Sequence, residues 1–208
     1  MLILLGILIS YLIGSIPSAY LYGKFLKGID IRQHGSGNVG ATNVFRVLGK
    51  WPGIIVLVLD ILKGVVAVVL VFDALGLTGV FERIVLAVAV VSGHNWTIFL
   101  KFKGGKGIAT SLGVLIGLTI RIAAIRPVLL ATILVWLACF LPTGLVSLAS
   151  IVASVALPII MLLTNQSIEI VCLGVTFAIF VVLRHRPNIK RLLTGTEHRV
   201  FLPFHKKK

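Results

Sequence analysis

Three glycines and three lysines fall within KFKGGKG (101–107), directly ahead of a small-residue run, IAT. Glycine lets a backbone close round an oxyanion and lysine supplies a positive charge, so the stretch has the makings of a phosphate site. A nucleotide-hydrolysing loop requires G-x-x-x-x-G-K-[ST], whose hydroxyl after the lysine binds magnesium. Here Gly107 follows Lys106, and Leu100 stands where the first glycine belongs, which argues against ATP hydrolysis. The chemistry that survives is anion binding. Gly104, Gly105 and Gly107 would free their amides to converge, and a helix starting near Ile108 would present its positive end. Lys106 adds a point charge and Thr110 or Ser111 a hydroxyl. A glycine hinge flanked by surface lysines is the plainer alternative.

Two further segments concentrate polar residues. HGSGNVGATNVFR (34–46) sets Ser36, Gly37, Asn38, Thr42 and Asn43 ahead of Arg46, whose planar guanidinium suits a phosphate or carboxylate. Its plainer reading is a capped turn before a helix. In RHRPNIKRLLTGTEHR (184–199), Pro187 ends or redirects a helix. That places His185 and Asn188 at the membrane surface beside Lys190 and Arg191. Lys206–Lys208 read as a tail for lipid head groups.

The elements that must position these segments are membrane helices. Of 208 residues, 58% are hydrophobic and only 12% charged, with a mean hydropathy of +1.11. Runs such as MLILLGILISYLIGS and GIIVLVLDILKGVVAVVLVF approach or reach the roughly 20 apolar residues of a crossing. The expectation is an all-α polytopic membrane protein, a single domain over 1–208. Its seven spans are 2–23, 53–72, 83–100, 107–120, 127–141, 144–163 and 167–183, the fourth and fifth being short enough to be re-entrant.

The net charge of +14 is not a nucleic-acid signature, because the basic residues cluster between spans. All but four of the 20 Lys and Arg lie in 24–52, 101–106 and the tail from 184. Arg83, Arg121 and Arg126 fall in the opposite loops and Lys63 within a span. The positive-inside rule then makes the three polar segments cytoplasmic, with the N-terminus outside and the C-terminus inside. Within the spans, Asp60 and Lys63 stand at i, i+3 and read as an ion pair. Cys139 and Cys172 lie in apolar runs and read as buried small apolar residues.

On these three motifs, SGNVGATNVFR (36–46), GHNW with FKGGKGIAT (93–110), and RHRPNIKRLLTGTEHR, the chain resembles the PlsY family of bacterial acyl-phosphate:glycerol-3-phosphate acyltransferases over essentially its whole length. The resemblance implies acyl transfer from acyl phosphate to the sn-1 hydroxyl of glycerol 3-phosphate. The products would be lysophosphatidic acid and inorganic phosphate, at the first step of phospholipid synthesis in the bacterial inner membrane. It implies essential roles for Ser36 and Arg46, and a glycerol 3-phosphate site at Gly104–Gly107 with Lys106. It also points to His185 and Asn188 for activity and to Glu197 for structural integrity. The enzyme is expected to work as a monomer with no cofactor and no metal, on two lipid-synthesis substrates and no nucleic acid.

The residues themselves fit that chemistry. Two phosphorylated substrates need cations and amide donors on one face, and an activated acyl donor needs chiefly positioning and charge stabilisation. The H-x4-D pair of acyl-CoA-type enzymes is missing, since no histidine, His94 included, has an aspartate five residues on. No Ser–His–Asp set is evident, Asp30 being a poor candidate. The proton acceptor is then His185 or a substrate phosphate oxygen. The competing reading is a small anion transporter, against which the motifs gather at one face and show no matching halves.

Overall fold

The computed structural model describes residues 1–200, and every regular element among them is helical. Lys206–Lys208 lie outside the described residues. The chain divides into two compact units, Met1–Arg121 and Ile122–Lys208.

In the first unit, α1 (Leu2–Ser15) and α2 (Ser18–Lys27) form one apolar stretch broken at Ile16–Pro17. The break has a covalent cause: Pro17 has no N–H, and its ring disfavours helical backbone at the residue before it. A polar loop leads to the short amphipathic α3 (Ala41–Leu48), then to α4 (Lys50–Val65). The α4 path continues through a π-helical turn, Val66–Val71, and ends at Phe72–Ala74. Then come α5 (Val80–Asn95) and α6 (Ile108–Arg121).

Helix α1 packs on α5, and α4 on α6. Both crossings are close because glycines stand at them. A Cβ on Gly14 would overlap the Val90 carbonyl, and one on Gly113 the Ile61 carbonyl. Membrane helices associate through such small-residue contacts, since lipid gives no hydrophobic drive between them. Arg83, read from sequence as a loop residue, instead lies buried in the first turn of α5. It donates to the Val68 carbonyl of the π turn and stacks 3.5 Å over the Phe72 ring. A register shift in one helix has thus given a buried guanidinium its acceptor.

The second unit holds α7 (Arg126–Thr143), α8 (Val146–Leu163), α9 (Ile168–Arg184) and α10 (Arg186–Leu193), with α8 contacting both α7 and α9. Pro187 sits in the first turn of α10, and the α9–α10 pair bends by 63° at His185.

Five stretches are long and apolar enough to cross a membrane: Leu2–Lys27, Lys50–Ala74, Val80–Leu100, Ala123–Thr143 and Val146–Leu163. The bent pair α9–α10 makes a sixth. Of the seven expected spans, five or six thus meet the length of a crossing, and α6 is the one that falls short. The segment at 127–141 gains length from its flanks, whereas α6, with 14 residues, spans only about 21 Å against roughly 30 Å of hydrocarbon. The cysteines also depart from expectation. Cys139 is half-buried and Cys172 exposed, on helix faces whose surroundings in a membrane are apolar anyway.

Candidate active site

In the first motif, a 3-10 turn at Ile31–Gln33 is capped by Asp30, whose carboxylate accepts the Arg32 amide at 3.0 Å and the Arg32 Nε at 2.9 Å. The Arg32 guanidinium holds the Asp30 carboxyl below the usual carboxylate range. Asp30 is therefore committed to its own loop.

The chain then turns through Gly35 and Gly37, at φ of 60° and 70°, before α3 begins. What sets this turn is Asn43. Its side chain is 1% exposed. Its Oδ1 accepts the Ser36 amide at 2.8 Å, and its Nδ2 donates to the carbonyls of His34 at 3.0 Å and Ile31 at 3.3 Å. Both halves of the carboxamide, expected to face a phosphate, are used to shape the loop. Ser36 stays exposed, with Oγ accepting weakly from the Asn38 amide at 3.4 Å. Thr42 and Arg46 are exposed on α3. The motif thus presents a hydroxyl and a guanidinium from a backbone pinned by one buried amide.

The glycine loop is built against the C-terminal end of α5. The Gly104 amide donates to the Asn95 carbonyl at 3.2 Å and the Gly105 amide to the His94 carbonyl at 2.9 Å. These bonds satisfy carbonyls that a helix end leaves without partners. They also correct the sequence expectation: the amides of Gly104 and Gly105 point at α5, not at an anion. The glycines are required by space. A Cβ on Gly105 would overlap the His94 ring and come within 2.9 Å of the Val39 carbonyl. Gly105 therefore wedges between α5 and the first motif, which brings those two segments together.

Gly107, at φ 78°, turns the chain into α6, whose first amides have no intrahelical acceptor and face the incoming loop. Lys106 is half-buried just before this helix start. Thr110 and Ser111 are buried in its first turn, and among the described residues neither hydroxyl has a partner; nor does the buried Asn95 amide.

In the second unit, His185 is 2% exposed at the α9–α10 bend. Its Nδ1 lies 2.8 Å from the Val181 carbonyl. With the proton on Nδ1, Nε2 carries the lone pair. Glu197 ties the tail down: Oε1 accepts from Asn188 Nδ2 at 2.7 Å and from Ser147 Oγ at 2.9 Å, and Oε2 accepts from Arg191 Nε at 2.7 Å. Burial raises the Glu197 carboxyl, but the hydrogen bonds from Asn188, Arg191 and Ser147 outweigh it and hold the group below the ordinary glutamate value. Lys190 is exposed on α10. Ser147 escaped sequence reading because its partner lies fifty residues away.

Helices of this length and apolarity, carrying polar loops at their ends, define an integral membrane protein. The chain matches the family model for glycerol-3-phosphate acyltransferase over residues 4–195, across both units. It is 46% identical to glycerol-3-phosphate acyltransferase 2 of Moorella thermoacetica, covering 95% of this chain and 97% of that one. It is 48% identical to the glycerol-3-phosphate acyltransferase of Desulforudis audaxviator, covering 95% of each. Among solved structures it resembles PlsY, an integral membrane glycerol 3-phosphate acyltransferase. The glycerol 3-phosphate form aligns with a TM-score of 0.86, at 39% identity and 96% coverage of both chains. The lysophosphatidic acid form aligns at 0.83, with 39% identity over 96% of this chain and 95% of that one. The chain belongs to the PlsY family of glycerol-3-phosphate acyltransferases.

Proposed function

We propose that this acyltransferase takes its acyl group from acyl phosphate and places it on the sn-1 hydroxyl of glycerol 3-phosphate, working as a monomer at the cytoplasmic face of a bacterial inner membrane. The hydroxyl oxygen attacks the acyl carbonyl carbon, forming the ester bond. The bond from that carbon to the phosphate oxygen breaks, and inorganic phosphate leaves with the electron pair. The hydroxyl proton passes to His185 or to a substrate phosphate oxygen. The product is lysophosphatidic acid, and one solved structure of the related PlsY is its lysophosphatidic acid form.

The observation that carries this reading is the seating of Gly105 between α5 and Val39. It sets the loop that carries Lys106 against Val39 of the Ser36–Arg46 motif, and in this reading the two cations and the hydroxyl of these segments serve one site. Both substrates bear phosphate, and their mutual repulsion must be offset by fixed positive charge. In this reading Lys106, with the α6 helix start and Thr110, receives glycerol 3-phosphate. Gly104, Gly105 and Gly107 give the loop its shape. Arg46 and Ser36, with Gly37, Asn38 and Thr42, serve the acyl phosphate, and Asn43 acts through Ser36. Asn188 and Lys190 are further assigned to turnover, and Glu197 is structural.

Orientation follows from charge: the basic segments 24–52 and 101–106 and the tail lie inside, and the N-terminus outside. The donor's acyl tail belongs in the bilayer, so a site at the membrane surface avoids extracting it. The experiment is product analysis of purified protein given only acyl phosphate and glycerol 3-phosphate. Lysophosphatidic acid acylated at sn-1, with one phosphate released per ester formed, is the expected result.

A further inference from the structure

Beneath the glycine loop runs a buried polar line that the scheme above does not use. Asp60 and Lys63 of α4 are 2% and 6% exposed, and Lys63 Nζ lies 2.6 Å from Asp60 Oδ1. Lys63 also donates to the Ile16 carbonyl at 2.5 Å, at the break that Pro17 makes between α1 and α2. The line continues to α5, where His94 Nδ1 stands 3.7 Å from the same Asp60 oxygen. The far side of that imidazole, at Nε2, is the surface on which Gly105 rests. A cavity of about 10 Å³, bounded by Asp60, Lys63, His94, Gly104 and Gly105 among others, gives room for a single water.

We propose that Asp60 and His94 are positioning residues for the glycine loop. Asp60 orients the His94 ring, the ring sets the height of Gly105, and Lys106 is thereby held where its charge meets the phosphate of glycerol 3-phosphate. The inference rests on the assignment of that loop to glycerol 3-phosphate.

Three features favour this over an ion pair that merely joins helices. Lys63 already has the Ile16 carbonyl and Asp60, so the pair has no structural need of an imidazole. His94 lies between the Asp60 carboxylate, 3.7 Å from Nδ1, and the loop over Nε2, so the ring transmits position. The Val39 carbonyl closes on the same point of Gly105 as the ring does, so the loop packs against the imidazole and the first motif together. A displacement of His94 must move Lys106 or open the contact with the first motif.

The test is steady-state kinetics in detergent or nanodiscs, varying each substrate separately. Asp60→Asn and His94→Gln should each raise KM for glycerol 3-phosphate by about tenfold or more, leave KM for acyl phosphate within about twofold, and change kcat less than KM. The double variant should be no worse than the more damaged single one, because both act along one line. An equal fall in turnover for both substrates with unchanged KM values, or multiplying effects in the double variant, overturns the proposal.

If Asp60→Asn fails to fold, Asp60→Asn/Lys63→Met removes both charges together, a change buried pairs tolerate. It should show the same KM shift, and its absence there overturns the proposal. Lys106→Met separates the two levels. An unchanged KM for glycerol 3-phosphate in that variant sinks the loop assignment itself. A raised KM there, with none in Asp60→Asn, sinks only the role of Asp60 and His94.

Discussion

Asn43 Oδ1 accepts the backbone amide of Ser36 at 2.8 Å, so a buried residue of α3 fixes the exposed serine seven residues before it. The same carboxamide donates to the His34 and Ile31 carbonyls. Asn43→Ala leaves these backbone groups without their partner, at a cost of about 1–3 kcal/mol in stability. Turnover should fall further than stability implies, by about 10²-fold, because an ångström of misplacement at a reacting group costs about that much. Asn43→Asp keeps the acceptor for Ser36 and loses the donor, and should fall between Ala and the parent. Thermal midpoints beside kcat for the three proteins check this.

Gly105→Ala puts a methyl group into the His94 ring and against the Val39 carbonyl. The loop must lift and carry Lys106 with it. The apparent affinity for glycerol 3-phosphate should weaken more than that for acyl phosphate. Equal loss for both substrates, or none, would mean that the loop serves another purpose.

His185→Ala tests the proton acceptor. Loss of a general base costs roughly 10²–10⁴-fold in rate, and the variant should fall by that much. Activity within about twofold of the parent would leave a substrate phosphate as the acceptor.

Glu197 gives a pH dependence whose sign is set. Its carboxyl in the folded protein lies below its ordinary value. The stability it contributes is therefore fully present above the unfolded value and is lost as pH falls through the folded one. The parent should be more stable than Glu197→Gln at neutral pH, by about 1–3 kcal/mol for hydrogen bonds to a charged group. The difference should close on acidification below the ordinary glutamate range. Thermal melts of both proteins between neutral and acidic pH measure it.

The helical class and most spans were legible in the sequence because a membrane crossing is a local property: about 20 consecutive apolar residues announce it. The short α6 was flagged by its length. The Asp60–Lys63 pair was legible for the same reason, as one helix turn separates its members. The contacts that shape the site were not. Gly104 and Gly105 looked like free amide donors because nothing local says that their partners are the carbonyls of His94 and Asn95. Asn43 looked like a ligand because an amide that staples its own loop has the same composition as one that faces a substrate. The sequence offers His94 no aspartate five residues on, whereas the carboxylate beside it in space is Asp60, on another helix. The cysteines misled because an apolar run in a membrane protein can face lipid as well as core.

The central claim is acyl-phosphate-dependent acylation of glycerol 3-phosphate by this chain alone. Purified protein should be given radiolabelled glycerol 3-phosphate with acyl phosphate, acyl-CoA or acyl carrier protein in parallel, free of ATP and added metal. Acyl phosphate alone should give sn-1 lysophosphatidic acid and stoichiometric phosphate, and both should be lost in Ser36→Ala and Arg46→Ala. Equal product from acyl-CoA or acyl carrier protein, or full activity in those two variants, would contradict it.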